Sequence, residues 1–355
     1  MFIYIMNFTK KKKKYFNFYN NKSIKNKLIK NKLIKNKLIK NKSIKNKLIK
    51  NKLIKNKSIK NKLIKNKSIK NNFKKINCSP TNENNINHFT CYDDDDLQEL
   101  KKIWNARHPD APIKTNDSKE IWNKLKDYYS NICNKESCWI NQMVKNPKLK
   151  DDLLNSFAPE SPEKWKKNPN EWLSSIDIIK VMNQYEKKYK YFDFLGPSPI
   201  DYDTHEISGK CVWEELCHFN LENHMKKGFT KIGVIFNTDP HNKGGEHWIS
   251  LFIDIENKYI FFFDSVGNKI PKRIMKFVNK VIQQGKELNN PINFVFDQNY
   301  PMEHQKGNTE CGMYSLFFLI NMLKKKINSK YLKTHKLNDK FVEKFRKIYY
   351  NDKLY

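Results

Sequence analysis

HWISLFIDIENKYIFFFDS, residues 247–265, decides the fold. Two runs rich in β-branched and aromatic residues, HWISLFIDI (247–255) and KYIFFFDS (258–265), flank a short polar turn, the pattern of two antiparallel strands in a hairpin. Working outward, GFTKIGVIFNTD (228–239) and PINFVFDQN (291–299) have the same character and add two strands. Between 265 and 291, PKRIMKFVNKVIQQGKEL has helical periodicity and begins with Pro271 at a first-turn position. A helix in that connection permits 258–265 and 291–299 to lie parallel.

Upstream of the strands the period is helical. TCYDDDDLQELKKIWNARHPD (90–110) starts with acidic residues, which suit a helix N-terminus, and places Leu97, Leu100, Ile103 and Trp104 at helical spacing. SKEIWNKLKDYYSNIC (118–133) continues the pattern after Ser118 as cap, and a further helix runs over about 174–188 before a Pro-rich loop, LGPSPIDYD (195–203). Downstream, CGMYSLFFLINMLKKK (311–326) and the amphipathic LNDKFVEKFRKIYY (337–350) read as helices. The fold class is therefore α+β: a central mixed sheet of about four to five strands flanked by helices, with an N-terminal helical accessory region.

The charge is segregated. Of 69 Lys and Arg residues, 27 lie in residues 1–76, all of them Lys, and that stretch has no acidic residue. The remainder carries 42 basic and 37 acidic side chains, so the net +32 belongs almost wholly to an arm. Residues 21–70 are ten copies of NK[L/S]IK. On a helix, successive Ile residues of a pentad are about 140° apart and form no stripe; on a strand the odd period sends them to alternate faces. Disorder is the expectation. Such an arm suits a polyanion, nucleic acid or an acidic membrane surface, or it is a tolerated repeat expansion. The organisation expected is an arm at 1–76, helical accessory region at 77–165 and main domain at 166–355.

Seven cysteines come without a secretory signal: MFIYIMNF lacks a leading basic segment and is too short to span a bilayer. Reduced intracellular thiols and no membrane span are expected. Cys211, Cys217 and His218 form C-x5-C-H, and Cys133 with Cys138 forms C-x4-C. Neither has the paired C-x2-C spacing of a zinc site, and Asp93 to Asp96 lack an EF-hand pattern, so no metal or cofactor is expected. His205, His224, His241 and His304 read as surface or loop histidines, with His241 near the site across HNKGGEH (241–247).

Cys311 stands where the polar HQKGNTE (304–310) turns into an apolar helix. At a helix start a sulfur meets free backbone N–H groups and the positive end of the dipole, which favour a thiolate nucleophile. Gly312 beside it leaves room for a substrate backbone. His247 opens one strand of the hairpin and Asp264 lies near the end of the other, so their side chains share a face under either of two turn lengths, and a carboxylate bond to Nδ1 would fix the tautomer. Gln305 and the backbone N–H of Cys311 supply donors for an oxyanion.

His247-Trp248, Asp264, Gln305 and Cys311-Gly312, in this order, resemble the ubiquitin-like-protein protease and adenovirus protease superfamily. They are nearest to the polyprotein-processing thiol proteases of large DNA viruses, of the African swine fever virus and giant-virus type. The resemblance covers roughly residues 90–350 and implies a cysteine peptidase fold of the ubiquitin-like-protein protease type, papain-like in a permuted order. It also implies that Trp248 and Trp172 wall a narrow slot preferring Gly-Gly before the cleaved bond. Members of the African swine fever virus type carry Asn as the third residue, a role that Asp264 fills here better than Asn268. The implied activity is endoproteolysis of viral structural polyproteins, in the virion or viral factory. The alternatives are an isopeptidase acting on ubiquitin-like modifiers and an inert protease fold that binds nucleic acid through its arm.

Overall fold

The computed structural model describes residues 73, 74, 76–82 and 88–352. The pentad repeat, and the expectation attached to it, lie outside these residues. Asn71–Tyr355 forms one compact unit.

Four helices open it: α1 (Asp94–Arg107), α2 (Ser118–Tyr129), α3 (Ser137–Met143) and α4 (Pro147–Leu154). The acidic run starts α1 as expected, with Asp93 and Asp96 in a reciprocal capping box. In α2 the cap is Asp117, and Ser118 is the first helical residue. Leu97, Leu100, Trp104, Ile121, Trp122, Leu125, Trp139 and Phe157 bury a core of their own. Phe73 joins it, its ring 5.6 Å from that of Trp122, so packed chain begins before residue 76.

The second part begins with α5 (Ser175–Lys188), capped by Ser174 in a second capping box with Asp177. A six-stranded mixed sheet follows: β1 (Phe192–Phe194), β2 (Ser198–Pro199), β3 (Lys231–Asn237), β4 (Trp248–Asp254), β5 (Tyr259–Phe263) and β6 (Val295–Gln298). The order is β1-β3-β4-β5-β6, with β2 also on β3. The hairpin β4–β5 is antiparallel, and β6 lies parallel to β5 across the connection that carries α8 (Lys272–Glu287). Strands β1 and β2 fall in a stretch that reads as helix end and Pro-rich loop. At three and two residues they are too short to show alternation, and their pairing with β3 is what makes them strands. Pro271 is the N-cap of α8, one residue earlier than expected. Short helices α6 (Glu214–Cys217) and α7 (Leu221–Lys226) precede β3.

Strand parity divides the core. Trp248, Phe252, Phe261 and Phe263 face α9 (Cys311–Leu323). Ile249, Leu251, Ile253, Ile260 and Phe262 face α8 and its Ile274, Phe277, Val278 and Val281. Helix α9 is buried on nearly every side, because its outer face is covered by the chain's last segments: the ring of Phe317 packs edge-on against Phe341 and Phe345. The single C-terminal helix expected over 337–350 is broken into α11 (Asp339–Glu343) and α12 (Arg346–Tyr349), after α10 (Ser329–Thr334). Asn351 then binds back to the accessory region, its amide donating to Ala158 O and Asn77 O at 2.9 Å each.

The expectation of reduced thiols is corrected. Cys78–Cys91, Cys133–Cys138 and Cys211–Cys217 are joined, with Cα separations of 5.1, 5.7 and 6.3 Å, and Cys311 is free. Sequence spacing does not reveal such approaches; they follow from how the loops fold back. Among the described residues no helix is long and apolar enough to cross a membrane.

Candidate active site

The hairpin sets the first pair. Asp254 faces Tyr259 and Ser250 faces Phe263, so extrapolating the register places Asp264 diagonally from His247 on the same face, the shorter-turn alternative. His247 Nε2 lies 2.7 Å from Asp264 Oδ1. The bond is therefore to Nε2 and not Nδ1 as expected. Asp264 is 3 % exposed and firmly held. Its Oδ1 accepts from Val266 N–H at 3.0 Å, while the Asn299 side chain clamps its backbone from both sides, accepting from N–H at 2.9 Å and donating to C=O at 2.7 Å. Nothing in the sequence singled out Asn299, which closes the run read as a strand over 291–299 and in the structure follows the strand's last residue, Gln298.

Cys311 is the first residue of α9, with no side chain capping the helix. It is 2 % exposed, and it is near enough to His247 to act on the pKa of that ring. Burial acts to lower the pKa of His247, but hydrogen bonds and charge from Asp264 and Cys311 outweigh it and push the value up to about 9. The ring is thus an imidazolium at neutral pH. His247 keeps 18 % of its side-chain surface open, so the site meets solvent at the ring. Gln305 is tied to the same corner: its N–H donates to Ser265 O at 2.8 Å, and its amide oxygen accepts from Ser265 Oγ at 2.7 Å. One N–H of the amide goes to Gly307 O at 2.9 Å, which leaves the second.

Trp172 and Trp248 line one cleft of about 630 Å³, together with Leu173, Pro197, Trp213, His241 and Gly245. Trp248 Nε1 donates to Leu173 O at 2.9 Å, which locks one indole to the segment carrying the other. Gly312 does a different job from the one expected. A Cβ there would lie 3.0 Å from Leu173 Cβ and 3.1 Å from its Cδ1; the glycine lets α9 start against Leu173, and that side chain, not open space for a substrate, occupies its face.

The other histidines divide. His205 is exposed, as expected of a loop. His241 Nδ1 contacts Asp201 Oδ2 at 2.7 Å on the cleft wall. His224 is half-buried and pairs with Asp193 at 3.1 Å. His304 lies in a loop, as expected, but is fully buried: it packs beside Phe263 and Tyr314, accepts from Leu337 N–H at 3.1 Å, and burial pushes its pKa down to about 4. Its neighbours in sequence are polar, so no periodicity marks it as core.

A sulfur at a helix start, an imidazolium against it, a carboxylate behind the ring and amide donors alongside are the parts that thiol acyl transfer needs. The family described as "Ulp1 protease family, C-terminal catalytic domain" matches residues 218–354. A protein of Acanthamoeba polyphaga mimivirus described as a thiol protease is 32 % identical over 267 residues, spanning 69 % of this chain and 84 % of that one. A cysteine protease of African swine fever virus is 25 % identical over 253 residues, spanning 67 % of this chain and 90 % of that one. The crystal structure of the African swine fever virus protease superposes with a TM-score of 0.57 at 21 % identity, covering 78 % of this chain and 96 % of that one, a likeness of fold. The fold and site define a cysteine peptidase. This chain belongs to the Ulp1 protease family.

Proposed function

We propose that this cysteine protease is an endopeptidase that cuts polyproteins after Gly-Gly, with Cys311 as nucleophile, His247 as acid and base, and Asp264 as the group that orients the ring. The observation that carries this reading is the 2.7 Å contact of His247 with Asp264, on a ring whose pKa is also raised by the side chain of Cys311. The thiolate adds to the scissile carbonyl, and the Cys311 N–H and Gln305 amide receive the oxyanion. The imidazolium then protonates the leaving amine, and the neutral ring activates water to release the acyl group. Trp172 and Trp248 exclude side chains from the residues before the cut, which leaves glycine.

The enzyme's substrates are structural polyproteins and its place is the virion or viral factory; that both relatives named above are proteases of viruses supports a viral setting. The lysine arm of residues 1–76 supports an electrostatic tether to nucleic acid. An African swine fever virus relative described as a SUMO-1 cysteine protease favours a second reading, an isopeptidase acting on ubiquitin-like conjugates. One experiment separates them: incubate the full chain with a Gly-Gly-X peptide and, in parallel, with a SUMO or ubiquitin conjugate. Cleavage of the peptide alone, abolished by Cys311→Ser, supports the endopeptidase. Cleavage of the conjugate alone transfers the assignment to the isopeptidase, and cleavage of neither leaves an inert fold.

A further inference from the structure

We propose that His205, Cys211, Cys217 and His218 form a zinc site whose oxidised, metal-free alternative is the Cys211–Cys217 disulfide. The four residues lie on an excursion between β2 and α7. His205 and Cys211 face each other across an isolated antiparallel bridge, closed by the turn in which Glu206 N–H donates to Lys210 O at 2.8 Å. Cys217 ends α6, and His218 follows it. Cys211 Sγ lies 3.6 Å from His205 Nε2 and 3.9 Å from His218 Nε2. Tetrahedral Zn²⁺ with bonds of about 2.3 Å to sulfur and about 2.0–2.1 Å to nitrogen has S···N edges of about 3.6 Å.

Two overlapping triads share the central sulfur. The ligand atoms of His205, Cys211 and Cys217 all lie within 4.8 Å of one another, and so do those of Cys211, Glu214 and His218. A disulfide accounts for the two sulfurs; both imidazoles lie beside Cys211 in addition. His218 Nε2 rests on Glu214 Oε2 at 3.1 Å, with a side chain 69 % exposed, so it is free to exchange that carboxylate for a metal. Glu214 also holds the Cys211 N–H at 2.9 Å, fixing the central ligand's backbone. Apolar burial does little for the outer turn, where Ile207 is fully exposed; a cross-link of one kind or the other holds it.

The exchange balances. A dithiol reductant gives two electrons and two protons to the disulfide and becomes a disulfide itself; the two thiols then pass their protons to water as Zn²⁺ binds. With two thiolates and two neutral imidazoles the complex carries no net charge. The consequence for the protease lies next door: Val212 and Trp213, between the cysteines, line the cleft that holds Trp172 and Trp248.

The test uses the full chain carrying Cys311→Ser, so that the candidate nucleophile cannot bind metal. The protein is reduced, given zinc, dialysed, and assayed for metal by mass spectrometry. About one zinc per chain and a higher Tm are expected, with zinc content falling at least about tenfold in His205→Ala and in Cys217→Ser. His205 is exposed, so its replacement leaves the fold intact. Co²⁺ in place of zinc should show the visible spectrum of a tetrahedral thiolate site. Two results overturn the proposal: no zinc in the reduced protein, or zinc retained undiminished in both variants.

Discussion

Two regions of this molecule bring histidine to cysteine, and they do it in opposite ways. At the end of the hairpin one sulfur, Cys311, is buried at the start of a long helix and meets one imidazole backed by Asp264. In the excursion at 205–218 two sulfurs meet two imidazoles, both largely open to water. A single sulfur whose partner ring is itself held by a carboxylate is arranged for proton transfer. Paired sulfurs with rings on several sides of one of them are arranged to be shared with a metal or with each other. What separates reactivity from ligation is the count of sulfurs and what stands behind each ring, not the nearness of Cys to His.

The sharpest way to break the comparison is Cys311→Ser. Peptidase activity should fall by about 10⁴ or more, with circular dichroism unchanged, whereas Cys211→Ser should leave kcat nearly intact and act on KM or stability. Equal losses in kcat would erase the distinction.

Next in size is Asp264→Asn. The amide oxygen can still accept from Nε2, so kcat should drop only about tenfold to a hundredfold. The His247 pKa should fall from about 9, because a charge that favours the imidazolium is gone. The alkaline limb of kcat/KM should then move to lower pH; a limb that stays put would show that another group titrates there. The same shift links to stability. The folded-state value lies above the ordinary 6.5, so the contribution is complete below about pH 6.5 and is lost as pH rises through about 9. Urea midpoints measured across that window should decline less steeply in His247→Gln.

Smaller again is Trp172→Ala, which opens one wall of the cleft. KM for a Gly-Gly peptide should rise about tenfold with kcat little changed, and an Ala-Gly peptide should become a better substrate. Least of all is Gly312→Ala. Its methyl would press on Leu173 at 3.0 Å, costing about 1 kcal/mol after the gain in helix propensity and lowering Tm by a few degrees. A rise in Tm would show that Leu173 yields.

Much of the corner was legible from residues 247–265 and 304–323. Short runs rich in β-branched and aromatic residues placed four strands, and the parity of a hairpin put His247 and Asp264 on one face before the turn length was known. The acid-rich start of α1 and the Ser174 cap of α5 also follow local rules that a sequence carries. The failures have equally local causes. Strands β1 and β2 exist only by pairing with β3, Asn299 matters only because the chain after β6 returns to Asp264, and His304 is core only because α9 and the segment at Leu337 close over it. Gly312 looked like room for a ligand because a glycine does not say which neighbour it accommodates.

By itself the sequence determined the α+β class, the segregation of charge into residues 1–76, and the identity of the sulfur, ring and carboxylate at the hairpin's end. These depend on periodicity and composition, which are written residue by residue. The tertiary structure alone decided which ring nitrogen faces the carboxylate, what fills the space over Gly312, which cysteines meet, and that His205 lies beside Cys211 and Cys217. Each of those is a distance between segments remote along the chain or folded back on themselves, set by how the core closes and by no local rule.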